Sequence, residues 1–293
     1  MTLRMLEIFV KVAKLGNMQQ AARELYISAP SVSGAVAELE RELGQLLFER
    51  LSRRLYITPQ GERLLAYAER ILNLYSEMNR QMKVSGAAQQ LRLGATMTVA
   101  ASVLVELLKK MPGPQPVVQV ANTAHIERLL LSGDLDMALV EGRVHAQELV
   151  EQPIFADDLL LCCPREHPLA KCRPLHLRTL EGQPLLMREA GSGTREKLEM
   201  ALDMAHIKPQ ILWECGDVSA LLGAVRAGFG LTVISRRLIP PDLIGLCLVD
   251  FPGSRHFSLV YHKDKMISPV MQLFAKICRD TAQEEQTGNL PTK

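Results

Sequence analysis

Over the first sixty positions apolar residues recur at helical spacing. Leu3, Leu6, Phe9, Val10 and Ala13 line one face of a helix that Gly16 stops. Asn17, with Gln20 three residues on, makes a capping-box-like start for a second short helix ending near Leu25. Ser28 is a good N-cap for a third helix. Pro30 is tolerated in its first turn, where backbone donors lack intrahelical partners, and Gly44 ends it. Val32, Val36, Leu39 and Leu43 share one face and are expected to bury against the first two helices. The tight turn between the second and third helices suggests a helix-turn-helix. In "LFERLSRRLYIT" Leu55 and Ile57 alternate and residues 51–54 can turn, so the stretch reads as a β-wing on which Arg50, Arg53 and Arg54 cluster.

A longer helix follows, with Thr58 as N-cap and Pro59 at its first position. Leu64, Ala68, Ile71, Tyr75, Met78 and Met82 step by four and three in turn, an a/d heptad seam. The flanking positions are largely Arg, Glu, Asn and Gln. This favours a dimeric coiled coil through Leu64, Ala68, Ile71, Tyr75 and Met78 over a helix lying on its own domain. After Lys83, "VSGAAQQ" has the composition of a hinge.

From Leu91 onward the period switches. "LRLGA", "PVVQV", "MALV", "LLLCC", "PLLM", "ILWE" and "LTVIS" read as strands, interleaved with helices at 99–110, 126–132, 195–205 and 218–227. The pattern is α/β with mainly parallel sheets. "IERLLLSGDLDMALV" and "ALLGAVRAGFGLTVI" both run helix, glycine turn, strand, which hints at two similar subdomains. The expected division is 1–58, 59–90 and 91–293, the last in two lobes at 91–162 with 268–290 and at 163–267.

Composition adds limits more than direction. Hydrophobic residues make up 47% and charged residues 23% of 293, ordinary for a folded chain with sizeable cores. Lys+Arg 34 against Asp+Glu 32 leaves a formal charge of +2, so overall charge does not betray a nucleic-acid partner. No apolar run is long enough to span a membrane, and "MTLRMLEIFVKVAKLGN" is amphipathic, not a signal peptide, so a cytoplasmic location is expected. Cys162, Cys163, Cys172, Cys215, Cys247 and Cys278 include no C-x-x-C pair and read as reduced, mostly buried thiols. The His residues show no ligand spacing, so no metal and no cofactor is implied.

The stretch "AARELYISAPSVSGAVAELERELGQLLFER", followed by "ITPQGERLL", resembles the winged helix-turn-helix of LysR-type transcriptional regulators. The anchors are Ala21-Ala22, the S-x-P-x-V-S core at Ser28, Pro30, Val32 and Ser33, the ELE-x-x-LG run, Leu47-Phe48-Glu49-Arg50 and Thr58-Pro59-x-Gly61. The resemblance implies an all-α winged helix-turn-helix with a coiled-coil linker helix. It also implies an α/β two-lobe effector domain like periplasmic binding proteins, holding its ligand between the lobes. It further implies an operator in double-stranded DNA, a homodimer or homotetramer, and RNA polymerase as a candidate partner. The DNA-facing residues would be Ser28, Ala29, Pro30, Ser31, Ser33 and Gly34. The family usually has Gln at the position of Ala29 and often Arg at that of Gly34. With both missing, affinity is expected to lean on phosphate contacts from Arg50, Arg53 and Arg54, and specificity on DNA shape.

Three strand-to-helix loops are candidates for the ligand cleft. "GATMTVAAS" offers Thr96, Met97, Thr98 and Ser102, with Thr98 as helix cap; "VANTAHI" offers Asn122 and Thr123. "MREAGSGTREKLEM" offers Ser192, Gly193 and Thr194 at another helix start, flanked by Arg188 and Arg195. Glycines, hydroxyls and a helix dipole converge there on chemistry suited to an anion. "REAGSGTR" and the Thr-x-Thr at Thr96 and Thr98 resemble the cysteine-biosynthesis and carbon-fixation regulator branch. Its members bind small effectors that include sulfur oxyanions and phosphorylated metabolites. The expected ligand is therefore a small oxyanion or anionic metabolite held mostly by neutral donors. Glu141 and Asp217 are the best placed acids, with Glu141 expected to shape the cleft. There is no P-loop, no G-x-S-x-G and no defensible catalytic carboxylate pair, so an enzyme is not expected. Two rival readings are a redox-sensing regulator using Cys172 and Cys215, and an α/β enzyme with a fused DNA module.

Overall fold

The computed structural model describes residues 1–51, 54–83 and 90–287, in two compact units lying within 1–86 and 87–293. The first contains α1 (Leu3–Leu15), α2 (Met18–Glu24), α3 (Ala29–Leu43), a hairpin of β1 (Phe48–Leu51) with β2 (Arg54–Ile57), and α4 (Pro59–Lys83). Local chemistry sets each boundary. The Thr2 hydroxyl accepts from the Met5 N–H, Asn17 Oδ1 from the N–H groups of Gln19 and Gln20, and Ser28 Oγ from that of Ser31. Gly16 (φ 59) and Gly44 (φ 63) close α1 and α3 in the left-handed region.

Phe9, Val12, Val32 and Leu39 are fully buried at the centre of this unit, and the Phe9 and Phe48 rings pack 5.4 Å apart. Leu43 departs from the expected stripe: at 40% exposure it lies beyond the buried face, in the turn that unwinds at Gly44. Glu40 ties α3 to the wing, its carboxylate accepting from the N–H groups of Leu47 (2.8 Å) and Phe48 (3.3 Å). The Thr58 hydroxyl donates to the Leu46 carbonyl (2.7 Å) and accepts from the Gly61 N–H (3.0 Å), capping α4.

The apolar seam of α4 is divided. Ala68 is fully buried in the unit's own core, and Leu64, Leu65 and Leu72 pack against that core. Leu64 and Ala68 therefore cover their own domain, because the hairpin and α1 lie over the first turns of the helix. Tyr67, Ile71, Leu74, Tyr75, Met78 and Met82 form an exposed apolar stripe further along. The expected hinge, 84–90, lies almost wholly outside the described residues.

The second unit begins with β3 (Arg92–Thr96), which runs straight into helix α5 at 97–109. β4 (Val117–Ala121), α6 (Thr123–Ser132), β5 (Met137–Val140) and the long β6 (Leu149–Pro164) follow. Then come β7 (Pro184–Arg188), α7 (Gly193–Met204), β8 (Gln210–Cys215), α8 (Val218–Arg226), β9 (Thr232–Ser235), β10 (Leu243–Leu246), β11 (Ser254–His262) and α9 (Pro269–Gln286). The sheets are mixed, not mainly parallel. β3 pairs in parallel with β4 and β5, and β7 with β8, whereas β6 pairs antiparallel with β9, β10 and β11, and β11 with β5.

One lobe is built on β4, β3, β5, β11 and the first half of β6, with a core that includes Leu93, Phe155, Phe257, Leu259 and Phe274. The other is built on β7 to β10 and the second half of β6, around Leu161, Leu185, Leu198, Leu231 and Val233. β6 thus belongs to both lobes. Pairing also puts β11 with the first lobe, where the sequence pattern places it in the second. The two echoing stretches are α6 into β5 and α8 into β9, and each turns on a left-handed glycine, Gly133 (φ 78) and Gly228 (φ 77).

Two helical glycines of the first unit predict opposite outcomes. A Cβ on Gly61 would stand 2.3 Å from the Leu47 carbonyl oxygen, whereas one on Gly34 meets nothing within 4 Å. Gly61→Ala should destabilise by about 1–3 kcal/mol in urea denaturation, the cost of overpacking. Gly34→Ala should be neutral or stabilise by up to about 1 kcal/mol, since alanine is the better helix former. Equal effects at the two positions would show that the wing does not close on α4 as described.

Candidate functional site

The outward face of α3 carries Ser28, Pro30, Ser31, Ser33 and Gly34, all exposed. Ala29, expected among the DNA-facing residues, is half-buried against the core. The hydroxyls are partly engaged within the helix: Ser28 and Ser31 share a 2.7 Å bond, and Ser33 donates to the Pro30 carbonyl. They remain able to accept from outside. Arg50 and Arg54 stand on β1 and β2, with side chains outside the described ones, and Arg53 lies outside the described residues. Tyr26, in the turn before α3, is 95% exposed with φ 55. The N–H of Ile27 returns to Ala22 and that of Tyr26 to Arg23, a Schellman turn whose left-handed position usually takes glycine. Sequence reading passed over it.

In the second unit the expected cleft is a closed seam between lobes. Helix α5 starts at Met97, not Val99, so its N-cap position is Thr96 and Thr98 lies inside the first turn. A π segment at Ala100–Leu104 interrupts the helix, and Ser102 Oγ donates to the Thr98 carbonyl (2.7 Å) within it. Met97 is half-buried. Thr96 Oγ1 accepts from the Glu141 N–H (3.3 Å). Across the seam, Asn122 Nδ2 donates to the Ala190 carbonyl (3.2 Å) and the Ala124 N–H to that of Gly191 (3.3 Å). Gly142 and Gly193 bring the lobes into backbone contact: a Cβ on Gly193 would lie 2.3 Å from the Gly142 Cα and 3.3 Å from Thr123 Oγ1. Cavities of about 310 Å³ and 330 Å³ are lined by Gly191, Ser192 and Thr123, and by Gly142, Gly193, Glu141 and Arg255, respectively.

A buried polar cluster fills this seam. Arg255, from β11, donates through Nε to Asp157 of β6 (2.8 Å) and through Nη1 to the Thr194 hydroxyl (2.9 Å). Asp157 also accepts from Ser235 Oγ (2.6 Å). Arg188 is held by Glu189 at 2.9 Å and 3.1 Å. Arg195 is spent within its own lobe on Glu199, Glu214 and the Arg188 carbonyl. Burial pushes the Glu141 carboxyl above the ordinary range, while Arg255, Arg188 and the Thr98 hydroxyl act against that push. Ser192 occupies the N-cap position of α7 without a capping bond. Among the described residues, the buried side-chain polar atoms left without a partner are Thr123 Oγ1, Glu141 Oε2, Ser192 Oγ and Arg255 Nη2. All belong to this seam, and such atoms are costly unless something satisfies them.

The structure thus gathers Thr96, Thr98, Thr123, Ser192, Gly193 and Thr194, with Asn122 bridging nearby. Expecting mostly neutral donors misses Arg255 and Asp157. Asp157 sits mid-strand in β6 and Arg255 near the start of β11, with no motif around them to flag either.

The thiols divide. Burial raises Cys162 and Cys278 to about 12 and raises Cys163, whereas Cys172 is exposed and Cys215 half-buried. Cys247 departs from the expected burial and is exposed just past β10. Among the described residues no group of His, Cys, Asp and Glu could hold a metal, and no helix is long and apolar enough to cross a membrane.

Comparison with known proteins matches residues 3–62 to the bacterial regulatory helix-turn-helix model of the lysR family, and 85–283 to the LysR substrate binding domain. The chain is 30% identical over 287 residues to the HTH-type transcriptional regulator YeiE of Escherichia coli K12, covering 94% of this chain and 97% of YeiE. It is 29% identical over 283 residues to the RuBisCO operon transcriptional regulator of Allochromatium vinosum, covering 93% and 94%. Its fold matches full-length CbnR complexed with its target DNA, with a TM-score of 0.64 at 23% identity, covering 96% and 100%.

The Asp157–Arg255 pair can be tested for its structural weight. Asp157→Asn keeps the shape and leaves the Arg255 charge buried without compensation. It should destabilise the second unit by roughly 3–5 kcal/mol in urea denaturation. A loss below about 1 kcal/mol, inside the range of an exposed pair, would mean that another carboxylate neutralises Arg255.

Proposed function

The chain belongs to the LysR family of bacterial transcriptional regulators, and from that premise we propose how its two units divide the work. It is a DNA-binding regulator with an effector-binding domain, and not an enzyme. In our reading the α3 face enters the major groove of an operator. Ser28, Ser31 and Ser33 bond phosphates or base edges, Pro30 touches thymine methyls, Ala29 supports from behind, and the bare backbone at Gly34 allows close approach. Arg50, Arg53 and Arg54 supply phosphate contacts. The exposed stripe of α4 through Ile71, Tyr75 and Met78 pairs two copies, and dimers join as tetramers on DNA, where RNA polymerase is the partner they influence.

The effector is a small oxyanion or anionic metabolite held between the lobes by Thr96, Thr98, Thr123, Ser192 and Thr194, with Met97, Ser102, Asn122 and Gly193 shaping the pocket. One observation carries this reading: unpartnered Ser192, Thr123 and Arg255 donors sit beside the start of α7, where the helix dipole favours negative charge. The anion replaces direct lobe contacts and so biases how far the lobes close, the differential affinity that any switch requires.

Two outcomes test these roles. Arg53→Ala with Arg54→Ala should weaken binding similarly on operator and random DNA and lower the salt slope by roughly one to two. A change of sequence preference with unchanged non-specific affinity would make the wing a base reader. Ile71→Asp with Tyr75→Asp should convert the oligomer to monomer in sedimentation, and an unchanged sedimentation coefficient would remove α4 as the interface.

For the cleft, titration calorimetry with sulfate, sulfite, phosphate and phosphorylated sugars should show saturable binding of at least one of them. Thr98→Val and Thr194→Val should each cost about 1–3 kcal/mol of that binding. Affinity surviving both changes would place the ligand elsewhere.

A further inference from the structure

Resting on the reading that an anion binds between the lobes, we propose that it binds together with one proton, held between Glu141 Oε2 and an oxygen of the anion. The site accordingly prefers oxyanions that can carry a proton near neutral pH, such as phosphate and phosphate esters, over sulfate.

The argument is one of charge and unused bonds. Both buried guanidinium groups of the seam already have carboxylate partners, Arg255 with Asp157 and Arg188 with Glu189. Glu141 is 5% exposed, and no ion pair to it is formed among the described residues. One of its oxygens, Oε2, is buried without a partner. The seam thus holds an extra acid, not an extra base. Around it stand Thr98 from α5, Arg188 from β7, Asp157 from β6 and Arg255 from β11. Further out, at the adjoining opening, lie Arg143, Glu151, Glu196, Lys197 and His256.

An anion that takes up the free Nη2 donor of Arg255 comes to rest beside this acid, because Arg255 and Glu141 line the same cavity. Two negative charges at close range in a dry site repel strongly. A proton shared between them removes the repulsion and fills the vacant position on Oε2, the arrangement that paired carboxylates adopt. Burial has already moved the Glu141 carboxyl toward holding a proton, and the incoming charge moves it further in the same direction. Either partner can nominally own the proton, and the bound state contains one in both descriptions. Phosphate brings a proton with it near neutrality. Sulfate remains a dianion and must wait for Glu141 to be protonated from solvent.

The test is titration calorimetry on the full-length protein near pH 8, in two buffers of different ionisation enthalpy, with inorganic phosphate and with sulfate. Sulfate, which carries no proton, should take up about one per site on the alkaline side, where free Glu141 is ionised, and its affinity should fall there roughly tenfold per pH unit, whereas phosphate, mainly the monohydrogen dianion, should take up close to none. Sulfate should bind at least about tenfold more weakly, about 1.4 kcal/mol. Glu141→Gln keeps the shape and offers an amide donor in place of the shared proton. In that variant the buffer dependence should vanish, and sulfate and phosphate should bind alike. Equal affinities in the unaltered protein, or a buffer dependence that survives Glu141→Gln, overturn the proposal. If none of sulfate, sulfite, phosphate and phosphorylated sugars binds the unaltered protein, the anion reading itself falls. Sulfate binding without proton linkage leaves that reading standing and removes only this one.

Discussion

Asp157, on the strand that both lobes share, meets Arg255 of β11, and much of the second unit is organised by that contact. A buried ion pair is a poor source of net stability, because two charges must be stripped of water to form it. What it supplies here is placement. Arg255 reaches from β11 to Thr194 at the start of α7, and Asp157 reaches from β6 to Ser235 at the end of β9. Strands of the first lobe thereby hold the polar rim of the second. The bonds leave Arg255 Nη2 without a partner.

The first unit solves a smaller problem with shorter-range means. Its helices are capped by side chains one turn away, and its wing is fastened by Glu40 and Thr58, each of which serves two backbone groups. That economy frees the outer face of α3 from structural duty. The face can therefore be built from serines, a proline and a glycine, with α3 held in place entirely from behind by Val32, Val36 and Leu39.

Much of this was legible because local chemistry is written locally. Ser28 and Gly44 act within a few residues of where they stand, so pattern alone found the ends of α3. The strand-to-helix loops were found for the same reason. The crossing strands were not: in "LVEQPIFADD" and "SRHFSLVYH" polar residues point into a buried seam and break the alternation that marks a strand. Arg255 and Asp157 are 98 positions apart, and nothing near either one announces the other. Heptad spacing in α4 failed in a different way. A seam facing one's own domain and a seam facing a partner share the same period, so Leu64 and Ala68 could not be told from Ile71 and Tyr75 by spacing. Leu43 fits the period as well, but the helix ends before there is anything to cover it.

Where the lobes meet at Gly142 and Gly193, the two backbones touch directly. A methyl group on Gly193 would act as a wedge, because it meets the Gly142 Cα, backbone that cannot rotate away, and one on Gly142 would press on both the Thr123 hydroxyl and the Gly193 Cα. In genetic terms these positions are where effector-blind alleles should arise. A wedge holds the seam apart whatever the cell contains, and it does so without touching the operator-reading face. Such alleles would be dominant in a mixed oligomer if one propped-open subunit is enough to set the spacing of the rest. A selection for altered regulation would then recover the hinge of the switch before it recovered the chemistry of the ligand.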